Sequence, residues 1–435
     1  MSVSLTYVAG LDVGNGYTKG LIIPQYVKGQ SPSKEKVGIL TQGTVDIPSV
    51  SATVVRPNEL PVDADQLSGV IEDDWNNNID VSFSSPLISD HHRHLPGKRA
   101  LGSGEMTEEF DVVGHRSKAE QELSHIIVLS QIAAKATSDA YKLHGHLPDV
   151  VDVHVTVALA LPIDEYVSHR TTYIADLMGT KDDDDERVHV VTVNNFTNPI
   201  VVRIVFDAVR VIPEGASAQY AIVQGGPELS QHMLNEVHER GFDTRQGFDA
   251  TQITAADVLA ATHTIGVDVG EGTVNFAVFT DGKFNHDASR TLNKGYGTVL
   301  ETALAEMDRQ GFNSGLSNRK QLADYLQRSV SPLKRNQYLR VRSYVTESAE
   351  FFVRDVAQAF SRVLADVGAL TEVAYVYGGG SSPLQDLLHE ALVDKTVEMT
   401  TEAFPVLYLD SSYSRKLNRE GLVIAATTAF HKLYK

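Results

Sequence analysis

The chain contains no cysteine among its 435 residues, which excludes disulfide bonds and thiolate metal sites. It has no apolar run long enough to span a bilayer and no stretch that resembles a signal peptide. Basic side chains are scarce, 38 against 56 acidic ones, and the net charge of −18 argues against broad, nonspecific binding to nucleic acid. We therefore expect an acidic, soluble, cytoplasmic protein, in which any link to DNA would pass through another protein.

Two segments far apart in the chain share one pattern, an apolar strand that ends on Asp-Val-Gly-x-Gly. They are LDVGNGYTKGLII, which starts at Leu11, and VDVGEGTVNFAVF, which starts at Val267. We name them the first and the second phosphate turn. Because glycine has no Cβ, backbone N–H groups in such a turn can approach an anion closely, and the Asp at the strand end can hold a hydrated Mg²⁺. The repetition implies two related half-molecules that close on one nucleotide.

The residues that follow each phosphate turn exclude two common phosphate-binding folds. A dinucleotide-binding fold or a P-loop needs a helix directly after its glycines, whereas both turns lead into β-branched, apolar runs. After the second run, Asp281-Gly282 has the composition of a hairpin turn. The Gly-Lys-Ser/Thr of a P-loop is absent as well. Both segments are therefore predicted to be strand–turn–strand hairpins.

The apolar period predicts an α/β chain, and 435 residues are too many for one ordinary core, so at least two domains are expected. Strands are predicted over 6–13, 19–23, 46–54, 149–161, 188–193, 201–211, 372–377 and 405–410. Helices are predicted over 117–143, 164–178, 346–369 and 418–434, and from residues 217 and 383 onward. Three polar stretches are interpreted as an excursion from the core (56–80), a solvated hairpin tip with a metal site as the alternative (181–186), and a helical insertion between the halves (225–262).

Two further motifs stand at strand ends. Pro213-Glu214 ends one strand, and the Glu214 carboxylate either faces a cleft or serves as a first-turn acid that favours the dipole of the next helix. Gly378-Gly379-Gly380 lies between a strand and a helix, and its bare backbone allows a purine or a ribose to lie against it. The cluster at 91–94, His-His-Arg-His, is interpreted as a solvated loop, with a metal site as the alternative.

The order of these motifs resembles that of the actin, sugar-kinase and heat-shock-chaperone ATPase superfamily, and most closely the ParM-type actin-like proteins that segregate bacterial plasmids. The matching stretches are spread over nearly the whole chain; they are residues 12–19, 159–166, 212–220, 266–273, 293–298, 376–380 and 410–421. The resemblance implies an actin-like fold, in which two domains, each with a mixed β-sheet flanked by helices, enclose a nucleotide cleft. The implied domains are 1–213 plus 406–435, and 214–405.

The resemblance also implies roles for individual residues. Asp12 and Asp268 would hold Mg²⁺ through water, and Glu214 would complete the catalytic set by orienting the attacking water or accepting its proton. Lys19 would neutralise phosphate charge. The nucleotide, ATP or GTP, would be bound by Asp12, Gly14, Asn15, Gly16, Tyr17, Thr18, Lys19, Gly270, Glu271, Gly272, Thr273, Asn275, Gly295, Gly378, Gly379, Gly380 and Ser381.

The function that the resemblance implies is ATP-driven assembly of the chain into homopolymeric filaments. Such filaments would push plasmid copies apart through a DNA-binding adaptor protein, and hydrolysis would weaken the lattice. The alternative is a small-molecule kinase of the same superfamily, although no Asp base in the context of a sugar pocket is evident. A membrane-tethered actin relative is a third interpretation. The terminal helix argues against it, because that helix lacks the basic, strongly amphipathic character of a membrane anchor.

Overall fold

The structure, a computed structural model, describes residues 2–55, 74–111, 116–179, 187–400, 403–414 and 416–434. The chain divides into two compact units, unit 1 (Met1–Pro213 with Asn418–Lys435) and unit 2 (Glu214–Leu417). The acidic run predicted as a hairpin tip at 181–186, and most of the excursion predicted at 56–80, lie outside the described residues. Within the described ranges, no helix has both the length and the apolar composition needed to cross a membrane.

Unit 1 is organised around one large mixed β-sheet. Its strands are β1 (Ser2–Val13), β2 (Tyr17–Gln25), β3 (Gly43–Pro48), β4 (Val50–Val54), β5 (Val81–Ser84), β6 (Arg93–Pro96), β7 (Thr107–Glu109), β8 (Val150–Leu161), β9 (Val188–Val193) and β10 (Ile200–Pro213). In the described residues they form a ten-stranded sheet in the order β3-β2-β1-β8-β10-β9-β5-β6-β4-β7. The predicted strands of this unit are confirmed, except that the one expected at 46–54 is divided at Ser49.

Along the described chain, the helices lie between groups of these strands and continue through unit 2. They are α1 (Lys34–Gly38), α2 (Lys98–Gly102), α3 (Glu122–His144), α4 (Ile163–Met178), α5 (Ala216–Glu239), α6 (Phe242–Gln246), α7 (Ala255–Ala260), α8 (Tyr296–Arg309), α9 (Arg319–Gln327), α10 (Arg335–Val367), α11 (Gln385–Met399), α12 (Ser411–Ser414) and α13 (Leu417–Leu433). The predicted helices are confirmed, although α10 begins at Arg335, well before the predicted residue 346.

The core of unit 1 lies where the central strands meet helix α3. Strand β8 first alternates valine with polar residues, and from Val155 to Leu161 every residue is buried. Helix α3 is buried continuously from Leu123 to Thr137, so all its faces are covered and it lies inside the core. Ser117 and Glu120 form a capping box directly before it, and Gly145 ends it with a φ of 69°. These local signals explain why the sequence predicts this helix well.

The described end of the predicted excursion, residues 74–80, belongs to the core, so that part of the interpretation is wrong. Trp75 is buried and its indole Nε1 donates to the Ala134 carbonyl of α3 at 2.9 Å. Ile79 and Asp80 are also buried, and the guanidinium of Arg93 pairs with the Asp80 carboxylate. The run of asparagines suggested a loop, but Asn77 is buried, and its side chain accepts from the Lys98 N–H, 21 residues away.

Unit 2 contains a smaller mixed sheet. Its strands are β11 (Thr264–Val269), β12 (Val274–Thr280), β13 (Lys283–Phe284), β14 (Arg290–Leu292), β15 (Val373–Tyr377) and β16 (Val406–Tyr408). Among the described residues the order is β13-β12-β11-β15-β16, with β14 also paired to β12. Asp281 and Gly282, with φ values of 52° and 70°, form the predicted turn between β12 and β13. The segment 225–262 is helical as predicted, and it lies within unit 2.

The two sheets share one four-strand topology. In unit 1, β1 is antiparallel to β2 and parallel to β8, and β8 is parallel to β10. In unit 2, β11 is antiparallel to β12 and parallel to β15, and β15 is parallel to β16. The order β2-β1-β8-β10 therefore repeats as β12-β11-β15-β16. Two related α/β units follow from this repetition.

The structure differs from two expectations, one on the domain boundary and one on the histidine cluster. A domain boundary at 405/406 separates β16 from the sheet it pairs with, whereas the compact units divide at Asn418. The histidine cluster at 91–94 is not simply a solvated loop, because Arg93–Pro96 is strand β6 and His94 is buried. The metal-capable group found in the described residues lies elsewhere, at His238, Asp243 and Asp249, where the Asp243 carboxylate accepts from the backbone N–H groups of Thr244 and Ala250.

Candidate functional site

Both phosphate turns are strand–turn–strand hairpins, and their registers are the same. In unit 1, Asp12 pairs with Lys19 across the β1–β2 hairpin, and the turn is formed by residues 14–17. In unit 2, Asp268 pairs with Asn275 across the β11–β12 hairpin, and the turn is formed by residues 270–273. Each Asp therefore stands at the same place relative to its turn. The predicted hairpins are confirmed.

The first glycine of each turn lies where a side chain does not fit. A Cβ on Gly14 would lie 2.7 Å from the carbonyl oxygen of Tyr17, and a Cβ on Gly270 would lie 3.0 Å from that of Thr273. The Gly270 N–H donates to the same Thr273 oxygen at 2.9 Å. A backbone hydrogen bond thus closes the second turn, and at the first glycine of both turns the close backbone approach excludes a side chain.

Backbone donors remain available in both turns. In the described part of the chain, the amides of Glu271, Gly272 and Thr273 make no hydrogen bond, and neither do those of Asn15 and Gly16. Successive N–H groups of this kind attract an anion. With a carboxylate at the strand end beside each turn, the donor set of each hairpin fits a phosphate and a hydrated Mg²⁺.

Ser49, the residue at which the predicted strand 46–54 divides, holds the first phosphate turn in place. The Ser49 N–H donates to the Gly16 carbonyl at 3.0 Å, and the hydroxyls of Ser49 and Thr18 lie 2.9 Å apart in the core. Thr18 is fully buried, so the structure uses its side chain to fix the hairpin and does not expose it to a ligand. Tyr17, by contrast, is 39% exposed.

In unit 2, the Gly295 region packs on the carbonyl side of the second phosphate turn. The Tyr296 N–H donates to the Gly270 carbonyl at 3.0 Å, and the Gly297 N–H donates to the Glu271 carbonyl at 2.8 Å. A Cβ on Gly295 would lie 2.2 Å from the Glu271 oxygen, so only glycine permits this approach. The carbonyls of the turn are therefore occupied, while three of its amides stay available.

The triple-glycine turn lies directly against the same hairpin. Gly378 has a φ of 101°, and a Cβ there would lie 2.4 Å from Oδ1 of Asp268 and from the carbonyl oxygen of Val269. The Gly380 N–H donates to the Val269 carbonyl at 2.8 Å. Ser381 is buried and its hydroxyl donates to the Gly378 carbonyl at 2.9 Å, so this side chain closes the turn. Gly379 remains partly exposed.

Glu214 lies outside helix α5, so it is not a first-turn acid. The helix cap is Gly215, with a φ of 81°, and the first turn of α5 contains no acidic residue. Nδ2 of Asn275 donates to Oε2 of Glu214 at 3.2 Å. A Cβ on Gly215 would lie 3.3 Å from Cβ of Asp268. Glu214, Asn275 and Asp268 are thereby brought together in unit 2.

Two residues that the sequence did not single out hold this arrangement in place. Thr291 Oγ1 donates to Oδ1 of Asn275 at 2.8 Å, which fixes the amide so that its Nδ2 faces Glu214. The Tyr377 hydroxyl donates to the Gly215 carbonyl at 2.6 Å. Burial, with a contribution from the charge of Asp268, raises the pKa of Tyr377, so it stays a neutral donor. Its only sequence signal is its place directly before the triple glycine.

The structure therefore gathers the predicted residues into two sets, each on its own unit. Unit 1 contains Asp12, the turn 14–17, Thr18 and Lys19. Unit 2 contains a larger set, composed of Glu214, Asp268, Gly270, Glu271, Gly272, Thr273, Asn275, Gly295, Gly378, Gly379, Gly380 and Ser381. Each set joins a carboxylate to an anion-binding turn, and only the set of unit 2 adds a second carboxylate and a glycine-rich platform.

No protein-family model and no curated protein matches this sequence. Solved structures do match it over nearly its whole length. Actin-like protein Alp7A matches with a TM-score of 0.61 and 12% identity, over 100% of this chain and 98% of that chain. A ParM filament from Clostridium botulinum gives 0.59 and 14%, over 97% and 99%. Bacillus thuringiensis ParM solved with ATP gives 0.57 and 14%, over 98% and 99%.

The fold is actin-like. The fold class predicted from the order of the motifs is thus confirmed, and the chain resembles ParM-type proteins in three dimensions. At such low identities this likeness establishes the fold alone. In this actin-like fold the repeated four-strand topology places one phosphate turn at the β1–β2 corner and the other at the β11–β12 corner.

The close approach of Gly378 to the second hairpin makes a testable prediction about stability. Gly378→Ala should lower the free energy of unfolding by about 3 kcal/mol, because it adds a left-handed backbone cost of about 1–2 kcal/mol to a collision with Asp268 and Val269. Gly247→Ala is the matched control, since Gly247 has a φ of 85° and nothing within 4 Å of its Cβ position. Urea unfolding of both variants measures the difference. Equal losses would contradict the proposed packing.

Proposed function

We propose that the chain is a nucleotide-dependent, actin-like ATPase that assembles into filaments and segregates plasmid DNA through an adaptor protein. The observation that carries the proposal is the repeated hairpin, one Asp beside one anion-binding turn, at the same register in two sheets of the same order. Two structural neighbours add support, since one ParM was solved as a filament and another with ATP.

The ligand would be a nucleoside triphosphate with Mg²⁺. Asp12 and Asp268 would hold the metal through its water shell, and the available amides of the two turns would bind phosphate oxygens. Lys19 would add a positive charge beside the first turn. The bound metal would supply charge neutralisation at the phosphates. The platform formed by Gly378 to Gly380 would border the adenosine or guanosine.

Glu214 would act on the water that attacks the terminal phosphate. Its Oε2 accepts from Asn275, whose own amide oxygen is fixed by Thr291, so the carboxylate is held in one orientation. Phosphoryl transfer demands mainly positioning and charge stabilisation, and a fixed carboxylate can orient the water or accept its proton. Loss of the terminal phosphate would remove contacts to the turns and shift the population away from the assembling conformation.

Sedimentation tests assembly directly. With ATP or GTP and Mg²⁺, most of the protein is expected to pellet above a critical concentration and to release phosphate, whereas without nucleotide it should stay in the supernatant. Light scattering should rise on nucleotide addition and fall as nucleotide is consumed. If no nucleotide produced a pellet while a screen of sugars gave phosphorylated product, the kinase alternative would replace the proposal.

Plasmid segregation requires a separate test in cells. A plasmid that carries the gene for this chain with its neighbouring genes should be inherited more faithfully than one in which Asp268 is replaced by alanine. Retention without selection over many generations measures this. Equal loss of the two plasmids, with filaments intact in vitro, would separate assembly from segregation and contradict the second part of the proposal.

A further inference from the structure

One stretch of unit 2 reverses the charge of the rest of the chain. Residues 309–342, which we name the basic segment, contain eight lysines and arginines and one acidic residue, Asp324, although the whole chain has 56 acidic against 38 basic side chains. The basic segment comprises α9, the short helical turn Pro332–Lys334 and the first turns of α10. A local excess of cations on an acidic protein attracts negative charge.

Most cations of the basic segment have no ion-pair partner among the described residues. Arg309 pairs with Glu306, and Arg319 pairs with Glu301 at 3.3 Å. The other six are exposed and, among the described residues, have no carboxylate within ion-pair distance; they are Lys320, Arg328, Lys334, Arg335, Arg340 and Arg342. Unpaired cations on a surface are available to a partner at little desolvation cost.

The basic segment is folded, so it presents these charges in a fixed arrangement. Leu322 of α9 is fully buried, and the Tyr338 hydroxyl of α10 donates to the Leu326 carbonyl at 3.3 Å. The guanidinium of Arg340 lies 4.3 Å from the centre of the Phe312 ring. A surface that is ordered before binding loses less conformational entropy when a partner arrives.

An apolar side chain stands in the middle of these charges, and unit 1 has a counterpart. Leu333 is 97% exposed and Met106 is 92% exposed, the two highest values for large apolar side chains in the described part of the chain. Met106 lies within residues 104–111, which contain four acidic residues and no lysine or arginine. We name residues 104–111 the acidic segment. Each segment thus combines one exposed apolar side chain with charge of a single sign.

The acidic segment is crowded with negative charge. Glu105, Glu108 and Glu109 are exposed and, within the residues described, make no ion pair. Partial desolvation, together with the charges of Glu122 and Asp90, raises the pKa of Glu108. A cationic partner at this place would relieve the repulsion and stabilise the ionised carboxylates.

We propose that the basic segment of one copy docks on the acidic segment of a second copy, with Leu333 and Met106 packed in the same contact. The inference rests on the proposed function, because it names the surfaces through which copies of the chain would assemble. The charges of the two segments are complementary, and their exposed apolar side chains exclude water from the contact. Since the two segments differ, the contact is heterologous, and its repetition produces an open polymer unless the rotation closes a ring.

Charge reversal tests the contact. One variant combines Lys334→Glu with Arg335→Glu, and the other combines Glu108→Lys with Glu109→Lys. Each alone should raise the critical concentration for assembly at least about tenfold, equivalent to about 1.4 kcal/mol per contact. An equimolar mixture should assemble again, because the reversed segment of each variant meets the reversed segment of the other. The wild-type critical concentration should also rise with salt.

The control is the double change Lys28→Glu with Lys283→Glu, which alters the charge equally at exposed positions outside both segments. It should assemble like the wild type, and thermal unfolding should show all variants folded. If the wild type assembles and the reversed variants assemble equally well, this contact alone is overturned. The same holds if the mixture of the two variants fails to assemble again. A wild-type chain that never assembles would overturn the proposed function as well.

Two other occupants of the basic segment are distinguished in the same experiment. A labelled DNA duplex and vesicles of anionic phospholipid are each mixed with the wild type and with the variant reversed at Lys334 and Arg335. Loss of binding to either one in that variant, with assembly unchanged, would assign the surface to that ligand and overturn the proposal. Equal, weak binding of both proteins supports docking between copies.

Discussion

Glu214→Ala is expected to slow nucleotide hydrolysis by about 100-fold or more and to leave nucleotide affinity within a few-fold of the wild type. The carboxylate is held by Asn275 and stands before helix α5, so under the proposed function it would act on water while the backbone turns would bind phosphate. Filaments of the variant should therefore form normally and persist. Phosphate release and the decay of light scattering after a limited nucleotide pulse measure the two effects.

A matched control for this prediction lies on helix α5, which follows Glu214. Glu228 is an exposed glutamate of α5, and Glu228→Ala should hydrolyse nucleotide like the wild type. Asn275→Ala should give a smaller loss, about tenfold, with an altered pH profile, because it releases the carboxylate without removing it. Wild-type phosphate release and disassembly by Glu214→Ala would show that another group activates the water.

Acidification is expected to destabilise the protein strongly between pH 6.5 and 4. Burial, with a contribution from the charge of His189, lowers the pKa of His125 to about 4. Burial likewise lowers the pKa of His389 to about 4. The folded state holds both rings neutral while the unfolded chain protonates them near 6.5, so stability is fully present above pH 6.5 and is lost as the pH falls toward 4. Each ring contributes about 3 kcal/mol.

His125→Leu tests the acid prediction cleanly. Among the described residues neither ring nitrogen of His125 makes a hydrogen bond, so the change removes a titrating group without breaking one. Its urea-unfolding free energy should fall less steeply with decreasing pH than that of the wild type. His91→Leu, at an exposed position, should keep the wild-type slope. Parallel acid slopes for all three proteins would show that His125 does not control acid stability.

The hairpins could be predicted from the sequence because their information is local. Each hairpin is encoded within about a dozen residues, by an apolar strand, an Asp, two glycines and a second β-branched run. The same sequence pattern occurs twice. The register of Asp12 with Lys19 follows from the turn length alone. Most strands and helices were predictable for the same reason, since a period of 2 or 3.6 is a property of neighbouring residues.

The supports of the site could not be predicted, since they join residues distant in sequence. Thr291 of β14 lies opposite Asn275 of the neighbouring strand β12, 16 residues away in sequence, and Tyr377 reaches Gly215 over a separation of 162 residues. The asparagine run near Trp75 suggested an excursion for the same reason. The burial of Trp75 depends on α3, which is distant in sequence. The choice between a cleft acid and a first-turn acid at Glu214 required knowing that Gly215 adopts a positive φ.

Helix α10 gives the basic segment a mechanical connection to the second phosphate turn. Its 33 residues extend for about 50 Å, with Arg335 at the start and Phe360 near the far end. The Phe360 ring stacks on Phe276 of strand β12, the second strand of the β11–β12 hairpin, at a centroid distance of 6.4 Å. A stiff rod amplifies rotation, so a tilt of about 2° at that stack displaces the first turn of α10 by roughly 1 Å. One continuous helix therefore joins the basic segment to the β11–β12 hairpin.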